Sequence, residues 1–290
     1  MKSCRKSFFW VFFLAIGLVC LQPMAQTNDA RSFFNFGVSK YHASNYVDAI
    51  ADFDKSIEIN PKIAATYFNR ANAEIALKKY DAALADFTKA IEMEPTNNAD
   101  GYYLRGTVRL FLQKNLEAIE DFDKAIQQDL KFADAYGNRG YAKSNLKDFI
   151  GAIADYHKAI ELAPSNSKVY YDCGVANAAL TNYVQAIEDY TKAIELNPQF
   201  GKAFFNRGAA KCSLKDYTGG IADFDKAIRT NPQYANAFGA RGVAKYHLKL
   251  FDEAIADFDK TVELNPDSPI AQIARHNRDD AKAALRDSKK

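Results

Sequence analysis

GKAFFNRGAAKCSLKDYTGGIADFDKAIRTNPQY, residues 201–234, is a sentence that the chain writes seven times. Ala203, Phe204, Ala210 and Leu214 set an apolar stripe at helical spacing, and Asp216-Tyr217-Thr218-Gly219 interrupts it. A second stripe follows through Gly220, Ile221, Phe224, Ala227 and Ile228, and Asn231-Pro232 ends it. Apolar residues recurring at three and four predict a one-faced helix, and proline drives the residue before it out of the α region. Each unit therefore reads as a helical hairpin, helix A then helix B.

Working outward, Gly37, Ala71, Gly106, Gly140, Gly174, Gly208 and Gly242 are equivalent points, spaced by 34 residues with one step of 35 at repeat three. A period of this length means stacked units rather than one globular core. The twentieth place holds Ala49, Ala83, Ala118, Ala152, Ala186, Gly220 and Ala254, and the twenty-fourth Phe53, Phe87, Phe122, Tyr156, Tyr190, Phe224 and Phe258. An aromatic also fills the fourth place: Phe33, Tyr67, Tyr102, Tyr136, Tyr170, Phe204 and Phe238. Small against large at fixed positions is a packing recipe, so these rings are read as core.

These residues, with the small twenty-seventh place (Ser56, Ala90, Ala125, Ala159, Ala193, Ala227, Thr261) and the closing prolines, resemble the tetratricopeptide repeat family over about residues 30–268. The resemblance implies an all-α, right-handed superhelical solenoid of seven helix-turn-helix repeats: 30–63, 64–97, 99–132, 133–166, 167–200, 201–234 and 235–268. The sequence departs from the family pattern at three places. Tyr or Phe stands for Trp at four, Arg for Leu at seven, and Lys for Tyr at eleven. After Pro266, Ser268-Pro269 starts a single amphipathic segment over 269–286, with Ser268 as N-cap, which caps the last apolar face.

Charged residues recur as well. Arginine occupies the seventh place in Arg70, Arg105, Arg139, Arg207 and Arg241, and aspartate the twenty-third in every copy, Asp52 through Asp257. A guanidinium fork against a carboxylate suits a tie between helices. The other readings are an anion-binding arginine row, or an aspartate paired instead to the lysine three places later (Lys55 through Lys260). The extra residue at Asn98, and Leu130 in place of a closing proline, predict that repeats two and three are seated differently from the others.

In the family the A helices line the concave wall, and places 2, 5, 6, 9, 12 and 13 face it. That implies a partner-binding groove of Phe34, Asn35, Tyr41, Phe68, Asn69, Ile75, Tyr103, Leu104, Leu110, Phe111, Asn138, Tyr141 and Asn206. Contiguous exposed apolar residues mark interaction sites, which puts the partner on repeats one to four, with Phe111 facing the groove rather than a helix. The asparagines Asn35, Asn69, Asn138 and Asn206 at place six could bond a peptide backbone or satisfy their own helices. Lys168 and Lys202, with Asp172 between them, do not complete a carboxylate clamp.

The N-terminus carries Lys2, Arg5 and Lys6 before the apolar run Phe8–Leu21, then Gln22-Pro23-Met24-Ala25. This reads as a signal peptide over 1–25, short of the ~20 residues of a spanning helix, with an uncleaved anchor through 8–21 as the alternative. The expected location is periplasmic or secreted. Loss of three basic side chains would take the net charge from +2 to near −1. A near-neutral chain of mixed sign excludes an electrostatic case for nucleic acid. Two of the four cysteines leave with the leader, and Cys173 and Cys212 are placed too far apart for a disulfide. His42, His157, His247 and His276 make no metal pair, and no nucleophile, phosphate loop or cofactor motif is present. The sequence therefore reads as a non-catalytic scaffold, without metal or cofactor, for a protein or extended peptide at the cell envelope. The alternative is a structural module acting through its outer face or self-association.

Overall fold

The structure, a computed structural model, describes residues 29–96 and 98–288; the leader reading over 1–25 lies outside them. Fifteen helices fill the described residues, and no strand occurs among them. The hairpins are α1 (Ala30–His42) with α2 (Tyr46–Ile59), α3 (Ala64–Ala76) with α4 (Tyr80–Met93), and α5 (Ala99–Phe111) with α6 (Asn115–Gln128). They continue as α7 (Ala133–Asn145) with α8 (Phe149–Leu162), and α9 (Ser167–Ala179) with α10 (Tyr183–Leu196). The last two are α11 (Gly201–Ser213) with α12 (Tyr217–Thr230), and α13 (Ala235–His247) with α14 (Phe251–Leu264). The closing helix α15 (Pro269–Asp287) is capped by Ser268, whose hydroxyl accepts from the Ala271 amide at 3.2 Å.

In six of the seven hairpins the ring of place 24 lies over a glycine at place 8, and repeat two has Ala71 there, packed with Phe87. A Cβ built on Gly106 would stand 2.8 Å from the Phe122 ring, and one on Gly242 would stand 2.7 Å from Phe258. The glycine is thus required by close approach. Phe53, Phe87, Phe122, Phe224 and Phe258 are at most 1% exposed. The fourth-place rings are less deep: only Tyr67 and Phe204 are buried, and Arg70, Arg105, Arg139, Arg207 and Arg241 each lie against the ring three residues earlier.

The break between A and B falls earlier than the sequence suggests. Helix α11 ends at Ser213, Lys215 takes the left-handed conformation at φ 66°, and Asp216 caps α12 by accepting from Gly219. Every A–B turn repeats this with a non-glycine residue: Ser44, Lys78, Gln113, Lys147, Thr181, Lys215 and Lys249. The amide after each bonds back five residues, as Lys114 N–H does to Arg109 C=O at 2.8 Å, closing a Schellman turn. A β-branched side chain is strained there. Thr181→Gly is therefore expected to raise stability by about 1 kcal/mol, read as a higher urea midpoint with unchanged slope. An unchanged or lower midpoint would mean that the turn carries no such strain.

The arginine–aspartate ties are real and lie within each repeat. Arg70 forks onto Asp86, Arg105 onto Asp121, Arg139 onto Asp155, Arg207 onto Asp223 and Arg241 onto Asp257. The place-eleven cations complete the cluster from the same helix: Lys40 on Asp52, Arg109 on Asp121, Lys143 on Asp155, Lys211 on Asp223 and Lys245 on Asp257. The lysines of the twenty-sixth place do not take these aspartates. Lys89, Lys158, Lys192 and Lys260 pair with a glutamate one helical turn on. The third arginine nitrogen reaches back to the preceding repeat: Arg70 to Asp54, Arg105 to Thr88, Arg139 to Asp123, Arg207 to Thr191 and Arg241 to Asp225. Helix α15 copies this bond with Arg278 on Asp259. The row therefore ties hairpins internally and to each other, and its guanidiniums are not offered to an external anion.

Three repeats break the pattern, repeat one by carrying Phe36 at the arginine place, so that Lys40 alone pairs with Asp52. Repeat five has Cys173 and Asn177 in place of both cations, so burial pushes the Asp189 carboxyl up and the Asn177 amide donates to it at 2.9 Å. Cys173 and Cys212 are free thiols. Repeat two has Glu74 where five other repeats carry a cation.

Each helix packs on the next, and neighbouring A helices touch across the junctions, but α3 and α5 pack less closely than the rest. That is the junction with the extra residue. Asn98 caps α5 there, its backbone N–H donates to Gln128 Oε1 at 2.6 Å, and Gln128 Nε2 donates to Pro95 O.

Candidate binding groove

The A helices present places 2, 5, 6, 9, 12 and 13 along one wall, but that wall is not uniformly wet. In repeats one and two the rings at place five are packing residues. Phe34 lies on Phe53 with centroids 6.1 Å apart, and Phe68 on Phe87 at 5.5 Å. Ile75 and Leu104 pack against the buried cluster of Ala71, Phe87 and Val108. Tyr41 meets Tyr46 at 5.5 Å. Tyr103 sits between Phe122 and Phe132, and Tyr171 and Phe205 repeat the arrangement with Phe200 and Tyr234. These loop aromatics at place 34 cover the place-five ring from outside the A helix. They were visible in the sequence, but as loop residues between helices they carried no helical period.

The asparagines do not form one ladder. Asn35 is exposed, and Asn69 Nδ2 donates to the Ala65 carbonyl of its own helix at 2.8 Å. Asn138 Nδ2 donates to Tyr103 Oη and Thr107 Oγ1, each at 3.3 Å, and Asn206 Nδ2 donates to Tyr171 Oη at 3.1 Å. The last two are rungs between neighbouring repeats.

The groove opens into a cavity of about 860 Å³ over repeats three to five. One side is Leu110, Phe111 and Tyr141; the rest is Thr107, Gln113, Asn115, Asn138, Asn145, Lys168, Tyr171 and Asp172. Four of the sequence-derived groove residues therefore come together here: Leu110, Phe111, Asn138 and Tyr141. Phe34, Asn35, Tyr41, Phe68, Asn69, Ile75, Tyr103, Leu104 and Asn206 do not line it. Phe111 is 61% exposed, yet one ring face is stacked on Tyr80 of α4 at 5.4 Å, so it does touch a neighbouring helix. Tyr141 is 42% exposed, with the Lys168 ammonium 5.0 Å from its ring centre.

Lys168 and Asp172 form an ion pair one helical turn apart. The lysine is mostly in water and the carboxylate is not; burial raises the Asp172 pKa, and Lys168 opposes that rise. The cavity thus sets an apolar wall against amides, an ammonium and a partly desolvated carboxylate. Such a site can hold an apolar side chain and hydrogen-bond the backbone beside it. The described residues contain no cluster of three or more metal-ligating side chains. No described helix is long and apolar enough to cross a membrane.

Sequence profiles of the tetratricopeptide repeat match residues 64–97, 99–132, 133–166, 167–200 and 205–269. Among solved structures, the chain is similar to the C-terminal part of a TPR repeat-containing protein from Cytophaga hutchinsonii. They share 22% identity over 83% of this chain and 98% of that one, with a TM-score of 0.67. YrrB, described as a TPR protein with an unusual peptide-binding site, shares 24% identity over 66% of this chain and 97% of its own, with a TM-score of 0.58. A tetratricopeptide repeat protein from Parabacteroides merdae shares 16% identity over 87% and 98%, with a TM-score of 0.62. At these identities the likeness is one of fold. Comparison with curated proteins gives no match.

Proposed function

Since the chain belongs to the tetratricopeptide repeat family, a family of protein-interaction scaffolds, we propose that it is a non-catalytic scaffold of the cell envelope whose concave wall captures a protein or extended peptide. The observation that carries this reading is the cavity of repeats three to five, where Phe111 and Tyr141 stay exposed beside the side-chain amides of Asn138 and Asn145. Phe36 of α1 is also exposed, but among the described residues only here do two exposed aromatic side chains line one cavity with amides and an ion pair.

A partner would lay an apolar side chain against Leu110, Phe111 and Tyr141 and present backbone groups to Asn138 and Asn145. YrrB, which shares this fold, is described as having a peptide-binding site. The envelope location rests on the basic, then apolar, N-terminal segment, and cell fractionation of the tagged chain tests it.

Phe111→Ala and Tyr141→Ala are each expected to weaken capture of a crosslinked envelope partner by at least about 30-fold, the ~2 kcal/mol of an aromatic anchor. Both residues are too exposed for these changes to unfold the array, which thermal melting checks. Undiminished capture by both folded variants would move the binding site off this groove.

A further inference from the structure

On helix B, place 26 is a lysine in all seven repeats, and place 29 is a glutamate in five of them. In repeats two, four, five and seven these two side chains pair one helical turn apart. Repeat six reverses the sign, with Arg229 at place 29. Its Lys226 rests over the Phe204 ring, the ammonium 5.3 Å from the ring centre. Among the described residues, none of Lys226, Arg229 and Lys202 makes an ion pair.

These three cations line two adjoining clefts at the junction of repeats five and six. Lys226 and Arg229 line the first, of about 630 Å³, together with Ile194 and Phe204. Lys202 lines the second, of about 480 Å³, together with Tyr234. Gln199 and Thr230 border both. No carboxylate lines either cleft, and none of their residues lines the groove cavity. Of the carboxylates beside the lining residues, Glu195 is taken by Lys192 and Asp225 by Arg241. We propose that this junction is a second binding site, which takes an acidic segment of a partner protein. Carboxylates of the segment meet Arg229 and Lys202, and an apolar side chain between them fills the cleft floored by Ile194 and Phe204.

Charge complementarity and its extent select this occupant. Three cations without counterions at one junction attract negative charge, and a guanidinium fork suits a carboxylate. The positive charge ends after that junction, because repeats five and seven carry Glu195 and Glu263 at the place of Arg229. A long polyanion or an anionic bilayer needs a continuous basic face, whereas a short acidic segment needs only one junction. A small inorganic anion would leave most of both clefts, and their apolar floor, unfilled. The site does not rest on the groove reading, since the two share no residue.

Fluorescence anisotropy of the full chain tests this with a short labelled peptide that alternates glutamate and phenylalanine. The expected result is saturable binding, weakened about 10-fold or more when glutamine replaces every glutamate in the peptide. Arg229→Glu should weaken it by at least as much, and Arg229→Lys should keep most of it. Arg229→Glu rebuilds the lysine–glutamate pair that four other repeats carry, so the melting curve should not fall. Lys202→Ala should weaken binding several-fold. No saturable binding, equal binding of the glutamine peptide, or binding unaffected by Arg229→Glu overturns the proposal. Displacement of the peptide by inorganic phosphate, or by phosphatidylglycerol vesicles, at equal charge concentration would assign the site to another anion and overturn it too. Phe111→Ala should bind the acidic peptide as wild type does, and Arg229→Glu should capture the groove partner as wild type does, so the two readings fail separately. Loss of the peptide in Phe111→Ala rather than in Arg229→Glu would place it in the groove and contradict a second site.

Discussion

Phe122→Ala is expected to cost about 3–5 kcal/mol, which would melt repeat three well below the rest of the array. Phe122 has no solvent exposure; its ring lies over Gly106 and against Tyr103. Alanine leaves a void that Gly106 cannot fill, because glycine has no side chain to move into it. In a solenoid each repeat is held by its neighbours, so loss of the third would uncouple repeats one and two from the remainder. Hydrogen exchange should show α5 and α6 losing protection first. A melting temperature within a few degrees of wild type would mean that this ring does not carry the hairpin.

The second large effect is at Glu74. Five other repeats place a cation here on the place-23 aspartate, whereas repeat two places a carboxylate beside Asp86. Glu74 is 8% exposed, its Oε2 has no hydrogen-bond partner, and burial, then Asp86, push its pKa up from 4.5 to about 7. Arg70 lowers it but is already shared between Asp86 and Asp54.

The folded state therefore holds this proton more tightly than the unfolded chain. Stability from the protonated carboxyl is complete below pH 4.5 and is lost as pH rises to about 7. The loss amounts to roughly 3 kcal/mol above that range, at about 1.4 kcal/mol per pKa unit. Glu74→Gln should match wild type at pH 4 and exceed it by about 2–3 kcal/mol at pH 8. Glu74→Lys should gain more, by restoring the pair with Asp86. Parallel stability–pH curves for wild type and Glu74→Gln would show that Glu74 titrates normally.

The sequence made the hairpins legible because their determinants are local and periodic. Gly208 under Phe224, Ala at place 20 and the stop at Asn231-Pro232 recur in phase. The Arg–Asp tie was legible for the same reason: sixteen residues is the fixed offset between facing positions of one hairpin, as in Arg139 and Asp155. What was not legible depends on how hairpins stack. Asp54, Asp123 and Asp225 meet the next repeat's arginine only once two hairpins are packed. The place-eleven lysines looked like departures from the family pattern, but they are second partners for the buried aspartate. The turns hid because Lys147 or Thr181 takes a backbone conformation usually given to glycine.

The groove was legible as a wall and not as a site. Position alone cannot separate Phe68, folded onto Phe87, from Phe111, whose outer face stays wet. Phe68 holds place five, over the ring of its own hairpin, whereas Phe111 ends α5, where Tyr80 stacks on one of its faces. Lys168 and Asp172, excluded when only a carboxylate clamp was considered, belong to the cavity after all.

Site-specific photo-crosslinking in living cells tests the central claim most directly. A photoreactive residue replaces Tyr141 in the cavity or, as the control, the exposed Glu120 on helix B of repeat three. The account predicts a discrete crosslinked polypeptide from position 141, lost when Phe111→Ala is added, and none from position 120. A product from position 120 alone would contradict it and place the partner on the outer face.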